Sequence, residues 1–243
     1  MTGNLIEIFS SAQGEGPYIG HRQVFVRFEG CNLKCRYCDT AHAVGSHPFC
    51  TVETLRSEEP ELSVANPVSV ENAADYIQDL LDATLHHSVS FTGGEPLLHA
   101  DFIAAIAERV SSRIFLETNG TLVDELKKIL SHVDIVSMDV KPPSAAGEKL
   151  WARHRAFLET AAAKDVYVKL VVTEDLTENE FSEACRIIAD IRADIPLILQ
   201  PVTSKGGCVP PKAETLLMMQ ARALRVLRDV RLIPQAHSMM GIR

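Results

Sequence analysis

Ser88-Val89-Ser90-Phe91-Thr92-Gly93-Gly94-Glu95-Pro96 reads as a short buried strand that stops abruptly: β-branched and aromatic residues, then two glycines, an acid and a proline. Directly after it, residues 101–110 carry Phe102, Ile103, Ile106 and Val110 at helical spacing. The same couple recurs downstream. Residues 114–118 (IFLET), 135–139 (IVSMD), 166–172 (VYVKLVV) and 197–200 (LILQ) are predicted strands. Residues 121–130, 147–163, 178–191 and 213–227 are predicted helices, the last with Leu216, Met219, Ala223 and Val226 on one face. Upstream, residues 23–28 (QVFVRF) form the predicted first strand of the same sheet, and residues 69–85 a helix. Such alternation specifies βαβ units and a mostly parallel sheet. Five or six units are too few for a closed eight-stranded barrel, so the expected fold is α/β, a partial barrel open on one side. Residues 1–243 are expected to form one domain. Stretches 49–56 and 62–67 flank an acidic turn, Ser57-Glu58-Glu59-Pro60, and predict a small hairpin insertion at about 43–68. Reactive groups of parallel sheets gather at strand C-terminal ends. The unusual residues fall there: Thr92 to Pro96, Glu117-Thr118-Asn119-Gly120, Asp139-Val140-Lys141 and Gln200-Pro201.

Composition narrows the function. The 243 residues are 46% hydrophobic and 23% charged, which suits a globular chain with a full core. A formal charge of −8 argues against a nucleic-acid partner, because phosphate backbones select clustered Lys and Arg. No apolar run approaches the roughly 18 residues that span a bilayer. The first seven residues lack a basic region followed by an apolar one, so the expected compartment is the cytoplasm. Three of six cysteines, Cys31, Cys35 and Cys38, crowd into eight residues. Cys50, Cys185 and Cys208 are scattered and are assigned to packing, as are Trp151 and the Met218-Met219 pair.

Three thiolates spaced C-x3-C-x2-C directly after a strand can ligate three corners of a cubane 4Fe–4S cluster and leave one iron open. A closed zinc site needs four ligands, and His42, His47 or Cys50 stand near enough in sequence to complete one. The Gly-Gly-Glu-Pro turn, which lets a ligand approach the backbone, favours the cluster, and Tyr37 precedes the third cysteine. Together these features closely resemble the radical S-adenosylmethionine (SAM) superfamily. That resemblance implies chelation of the open iron by the amino and carboxylate groups of SAM. One electron then breaks a sulfonium C–S bond.

Within that superfamily, several segments resemble the 7-carboxy-7-deazaguanine synthase family. They are Ile8 to Gly16, Gly20, Val24 to Phe28, Gly30 to Leu33, Cys38-Asp39-Thr40, Thr92 to Leu97, Glu117 to Gly120 and the tail His237…Gly241-Ile242-Arg243. The resemblance implies rearrangement of 6-carboxy-5,6,7,8-tetrahydropterin to 7-carboxy-7-deazaguanine with loss of ammonia, on the path to queuosine and other 7-deazapurines. It implies reusable SAM, Mg²⁺ held by Thr40, an electron donor such as a flavodoxin, and a homodimer. Cys31, Cys35 and Cys38 would hold the cluster. Ala12, Gln13, Gly14, Glu15, Arg27, Thr92, His237 and Arg243 would hold the pterin. Tyr37, Cys38, Asp39, Gly93, Gly94, Glu95, Asp139, Val140, Lys141, Gln200, Pro201, Val202 and Thr203 would line the SAM pocket. The chemistry is apt: Gln13 and Glu15 offer acceptors to a 2-amino-4-oxo edge, and Arg27 offers a planar two-pronged donor to a carboxylate. Ser238 departs from the family, where many members carry a basic residue.

Ordinary structural roles compete for the same residues. Gln13 and Glu15 would fit a polar turn, Arg27 a cross-strand ion pair, Thr40 a helix cap and His237 the surface. Two other functions are weighed against the synthase. A glycyl-radical activating enzyme shares the cysteine loop but acts on a protein partner and has no need of Gln13, Glu15, Arg27 and Thr40 together. A non-catalytic zinc or iron–sulfur module would need only the cysteines.

Overall fold

The computed structural model describes residues 1–54, 59–203 and 207–242. Six strand–helix couples run through it in sequence. Strand β1 (Thr2–Gly3) pairs antiparallel with β6 (Val68–Ser69) as a separate two-stranded ribbon. The main sheet holds β2 (Leu5–Ala12), β3 (Arg22–Phe28), β4 (Phe49–Glu53), β5 (Glu61–Ala65), β7 (Ser88–Gly93), β8 (Ile114–Thr118), β9 (Ile135–Val140), β10 (Asp165–Val172), β11 (Leu197–Pro201) and β12 (Val230–Leu232). Its order is β12-β11-β10-β9-β8-β7-β3-β2-β4-β5. From β3 through β12 every neighbour is parallel. The pairing does not close on itself, so the barrel is partial, as the count of units implies.

Helices α1 (Val70–Ala83), α2 (Ala100–Ala107), α3 (Val123–Ile129), α4 (Pro143–Ala146), α5 (Trp151–Ala161), α6 (Glu178–Arg192) and α7 (Ala213–Ala223) supply the crossovers. Local chemistry starts the best formed of them. Ser69 caps α1 by accepting from Asn72 N at 3.1 Å, and Thr177 with Glu180 forms a capping box on α6. Val89, Phe91, Leu116, Val136, Met138 and Leu170 point outward and pack under these helices. The inward positions alternate with them and run from apolar to polar. Phe115, Ile135, Tyr167 and Ile198 form the floor of the barrel, with Tyr18 beneath them. Glu117, Ser137, Lys169 and Gln200 stand one inward position above, where a ligand can be met.

Several expectations are amended. Strand β2 precedes residues 23–28 in the sheet and lies antiparallel to β3, with Ala12 opposite Arg22 and Leu5 opposite Phe28. Its Glu7, Ser10 and Ser11 break any apolar alternation, which is why it does not read as a strand. Stretches 49–53 and 61–65 pair as antiparallel β4 and β5, while residues 55–58, which include Ser57 and Glu58 of the acidic turn, lie outside the described set. Met219 packs against the core but Met218 is 60% exposed, because adjacent helical positions cannot share one face. Cys50, Cys185 and Cys208 are buried free thiols, as the packing assignment requires.

Candidate active site

The loops at the strand C-terminal ends and the Gln13–Glu15 turn enclose a cavity of about 540 Å³. The cysteine loop forms one wall. Cys31, Cys35 and Cys38 all line the cavity, and each is partly buried. Two backbone contacts hold this loop against the Gly-Gly-Glu-Pro turn: Gly94 N donates to Phe28 O at 3.1 Å and Glu95 N to Gly30 O at 2.8 Å. A Cβ on Gly94 would lie 1.9 Å from the Gly30 carbonyl oxygen, so only glycine permits this approach. Asn119 Nδ2 lies 4.0 Å from Cys31 Sγ and 2.8 Å from the Asn32 side-chain oxygen. Burial pushes the Cys31 and Cys35 thiols up from the ordinary cysteine value.

Two of the three candidate fourth zinc ligands stand elsewhere. Cys50 is fully buried in β4, and the His47 ring lies 3.2 Å from Glu29 Oε2. The side chain of His42 lies outside the described set. Among the described residues, no three His, Cys, Asp or Glu side chains converge on a single-ion site.

The opposite wall carries a polar array. Gln13, 2% exposed, donates from Nε2 to Glu117 Oε1 at 2.9 Å and to Gln23 Oε1 at 3.1 Å. The Thr92 hydroxyl donates to Glu117 Oε2 at 2.7 Å. Arg27 pairs opposite Thr92 in register, and its Nε donates to Glu7 Oε1 at 2.7 Å. Phe9 lies under its guanidinium at 5.9 Å. The cross-strand ion pair is therefore real, yet it uses only Nε and leaves the two Nη groups directed by a fixed stem. Ala12, Gly14, Glu15 and His237 complete this side. Arg243 lies outside the described residues.

Between the walls sits a buried charge network. Lys169, 7% exposed, bonds Glu15 Oε2 and lies 3.2 Å from Asp139 Oδ2. Lys141 reaches the same oxygen at 3.0 Å and stands over the Tyr37 ring at 5.2 Å. Burial alone would push the Lys169 ammonium down, but Asp139, Glu15 and Glu117 drive it well above the ordinary lysine value. Asp139 Oδ1, Gln200 Oε1 and the Tyr37 hydroxyl are buried without a hydrogen-bond partner among the described residues. Unpartnered polar atoms lining a cavity mark where ligand donors and acceptors belong.

Of the residues expected around SAM, Tyr37, Cys38, Asp39, Gly93, Gly94, Asp139, Lys141, Gln200, Val202 and Thr203 line the cavity. Glu95, Val140 and Pro201 do not. Val140 packs outward in the helix-covered core. Glu95 is fully buried and accepts from Leu97 N at 3.1 Å, the Thr118 hydroxyl at 2.8 Å and Asn119 N at 2.8 Å. Its carboxylate ties two strand-end loops together instead of facing a ligand. Desolvation pushes its pKa up to about 7 despite those donors. The folded state therefore holds this proton more tightly than the unfolded chain. Its contribution to apoprotein stability is fully present below about pH 4.5 and is lost as pH rises through about 7, on the order of 3 kcal/mol in all. In denaturant titrations from about pH 4 to 8, the stability of the native sequence relative to Glu95→Gln should fall by that amount as pH rises.

Lys169 and Gln235 are functional neighbours that motif reading alone does not single out, while Glu117 and Asn119 lie in a strand-end segment that it does. Lys169 had a signal: a lysine at the centre of the apolar run 166–172.

The Radical SAM superfamily pattern matches residues 25–187. A 7-carboxy-7-deazaguanine synthase of Geobacter sulfurreducens is 43% identical over 98% of this chain and 96% of its own length. One of Archaeoglobus fulgidus is 36% identical over the full length of both. The chain belongs to the 7-carboxy-7-deazaguanine synthase family. Among solved structures, QueE from Escherichia coli superposes with a TM-score of 0.60 at 19% identity, covering 98% of this chain and 95% of that one. A radical SAM methyltransferase from Sphaerobacter thermophilus superposes at 0.58 with 11% identity, over 94% and 77%. These two likenesses concern the fold. As a radical SAM enzyme of the 7-carboxy-7-deazaguanine synthase family, the chain uses a 4Fe–4S cluster and SAM. The three cavity-facing thiols, the glycine cradle at Gly94 and the unpartnered Asp139 and Gln200 atoms fit that pair of groups.

Proposed function

We propose that this chain converts 6-carboxy-5,6,7,8-tetrahydropterin to 7-carboxy-7-deazaguanine with loss of ammonia, in queuosine and 7-deazapurine biosynthesis. One observation carries the reading. A single cavity joins three cluster-spaced thiols to a donor–acceptor array suited to a carboxylated pterin. Bound together, the cluster and SAM supply one-electron, hydrogen-abstracting chemistry. The chain's own residues then fix geometry. The Nη groups of Arg27 hold the substrate carboxylate, while Gln13, Glu15 and Thr92 accept and donate along the pterin edge. Thr40, whose hydroxyl donates to Asp39 at 2.8 Å, offers an oxygen ligand to Mg²⁺ beside the cluster loop. His237, which lines the cavity, closes over the substrate.

Residues 1–243 act as one domain, with the hairpin at about 43–68 as an insertion. An electron donor such as a flavodoxin serves the cluster, and the enzyme works in the cytoplasm as a homodimer. Exposed Leu217, Met218, Leu224 and Val226 on and after α7 support the dimer by giving it an apolar surface to cover. The array of Gln13, Glu15, Arg27 and Thr40 around one cavity favours a small-molecule substrate over the protein partner of an activating enzyme.

The test is anaerobic incubation of reduced, cluster-loaded protein with SAM, Mg²⁺ and carboxytetrahydropterin. Deazaguanine product should accumulate without stoichiometric loss of SAM. SAM cleavage with unchanged pterin would overturn the substrate assignment.

A further inference from the structure

One of the donors to Glu15 comes from the far end of the chain. Gln235 stands at the start of the short helix α8 (Ala236–Met240) and is 8% exposed. Its Nε2 donates to Glu15 Oε1 at 2.7 Å and to Asp39 Oδ2 at 2.8 Å. Its Oε1 accepts from the Thr203 hydroxyl. Two ionised carboxylates accept, so the nitrogen must face them, and the threonine donor meets the oxygen. A primary amide suits this set: glutamate would bring a third carboxylate against two others, and leucine would offer neither donor.

The next residues continue the contact. Ala236 N donates to Gly14 O at 2.9 Å. A Cβ on Gly14 would lie 2.1 Å from His237 Nδ1, so the tail rests on a glycine where no side chain fits. Apolar burial does not explain this docking. No residue of α8 is buried, and Met239 and Met240 are 78% and 56% exposed. Hydrogen bonds hold the tail, and Gln235 makes those that engage charged groups.

We propose that Gln235 is a positioning residue: it clasps the C-terminal tail to the Gln13–Glu15 turn and to the cluster loop, and through Glu15 it orients the pterin. Only the last clause rests on the pterin reading. Asp39 follows Cys38 directly, so the clasp joins the turn that meets substrate, the loop that holds the cluster and the segment that carries His237.

Hydrogen exchange on the anaerobically reconstituted full chain tests the clasp without reference to substrate. In Gln235→Leu, amides of residues 236–242 should exchange about tenfold faster or more, with strand amides unchanged, as loss of two hydrogen bonds to charged groups implies. Fluorescence titration with 6-carboxypterin, a non-reactive aromatic analogue, tests the orientation of Glu15. Its Kd should weaken about tenfold in Gln235→Leu and further in Gln235→Glu. Gln235→Glu combined with Asp39→Asn should recover part of the loss, since the amide placed at position 39 then donates to the new carboxylate. Should Gln235→Leu fail to fold, Thr203→Val, which removes the donor that orients the amide, should loosen the same tail amides. Unchanged tail exchange, or analogue binding in Gln235→Glu as tight as in the native sequence, would overturn the proposal. If the native protein does not bind 6-carboxypterin, the substrate reading falls and tail exchange alone decides the clasp.

Discussion

Lys169→Met is expected to cost about 3–5 kcal/mol of stability at pH 8 and to abolish turnover, because Glu15 and Glu117 lose their facing cation and Asp139 keeps only Lys141, 3.0 Å away. Lys169 bonds Glu15 and lies 3.2 Å from Asp139, and the Glu117 charge also acts on it. Methionine keeps much of the volume, so the loss reports charge more than packing. The pH dependence gives the signature. In the native protein the raised lysine pKa means its contribution is fully present below the ordinary value of 10.5, so from about pH 5 to 8 it is constant. In Lys169→Met the crowded carboxylates bind protons more tightly folded than unfolded. The variant therefore regains stability near pH 5 and loses it as pH rises. Denaturant titrations of apoprotein at both pH values check this against the native sequence, in which the Glu95 slope is shared. A second change, Asp139→Asn, should restore part of the loss by removing one of the facing charges. A deficit below about 1 kcal/mol, or one that does not vary with pH, would show that Lys169 is a spectator of the network.

Lys169 also shows how the sequence was readable and where it was not. Alternation in 114–118, 135–139 and 166–172 assigns strands, and the same period puts Glu117, Asp139 and Lys169 on the inner face. The glycine pair and the cysteine spacing likewise locate the ligand end of the barrel. Other features have no local signature. Gln235 meets Glu15 across 220 residues, and only the folded chain brings them together. The acid after the glycines reads as a ligand contact, yet Glu95 turns inward because Thr118 and Asn119 on the next strand-end loop offer it donors. Direction, unlike position, depends on neighbours that are distant in sequence.

Arg27→Ala should lower kcat/KM for the carboxylated pterin by about 10²–10³-fold or more, with the cluster fully retained. Truncating one partner of a buried, hydrogen-bonded charge pair typically costs roughly 2–5 kcal/mol, and the substrate carboxylate would be that orphaned partner. The geometry separates this from a purely structural role. Nε is committed to Glu7 at 2.7 Å and the guanidinium lies over Phe9, which itself stacks on Phe25 at 5.2 Å. The stem is thus anchored from two sides, and the Nη pair is left to act as a fork with little freedom to lose on binding. Arg27→Lys should fail to rescue, since an ammonium cannot bond Glu7 and grip a carboxylate in plane at the same time. Glu7→Gln, by contrast, keeps the fork and should raise KM only modestly. Steady-state kinetics with iron and sulfide quantitation would decide the matter. Loss of cluster in Arg27→Ala would make the residue a structural tie between β2 and β3. Full rescue by lysine would mean that a point charge suffices and that the planar fork plays no part.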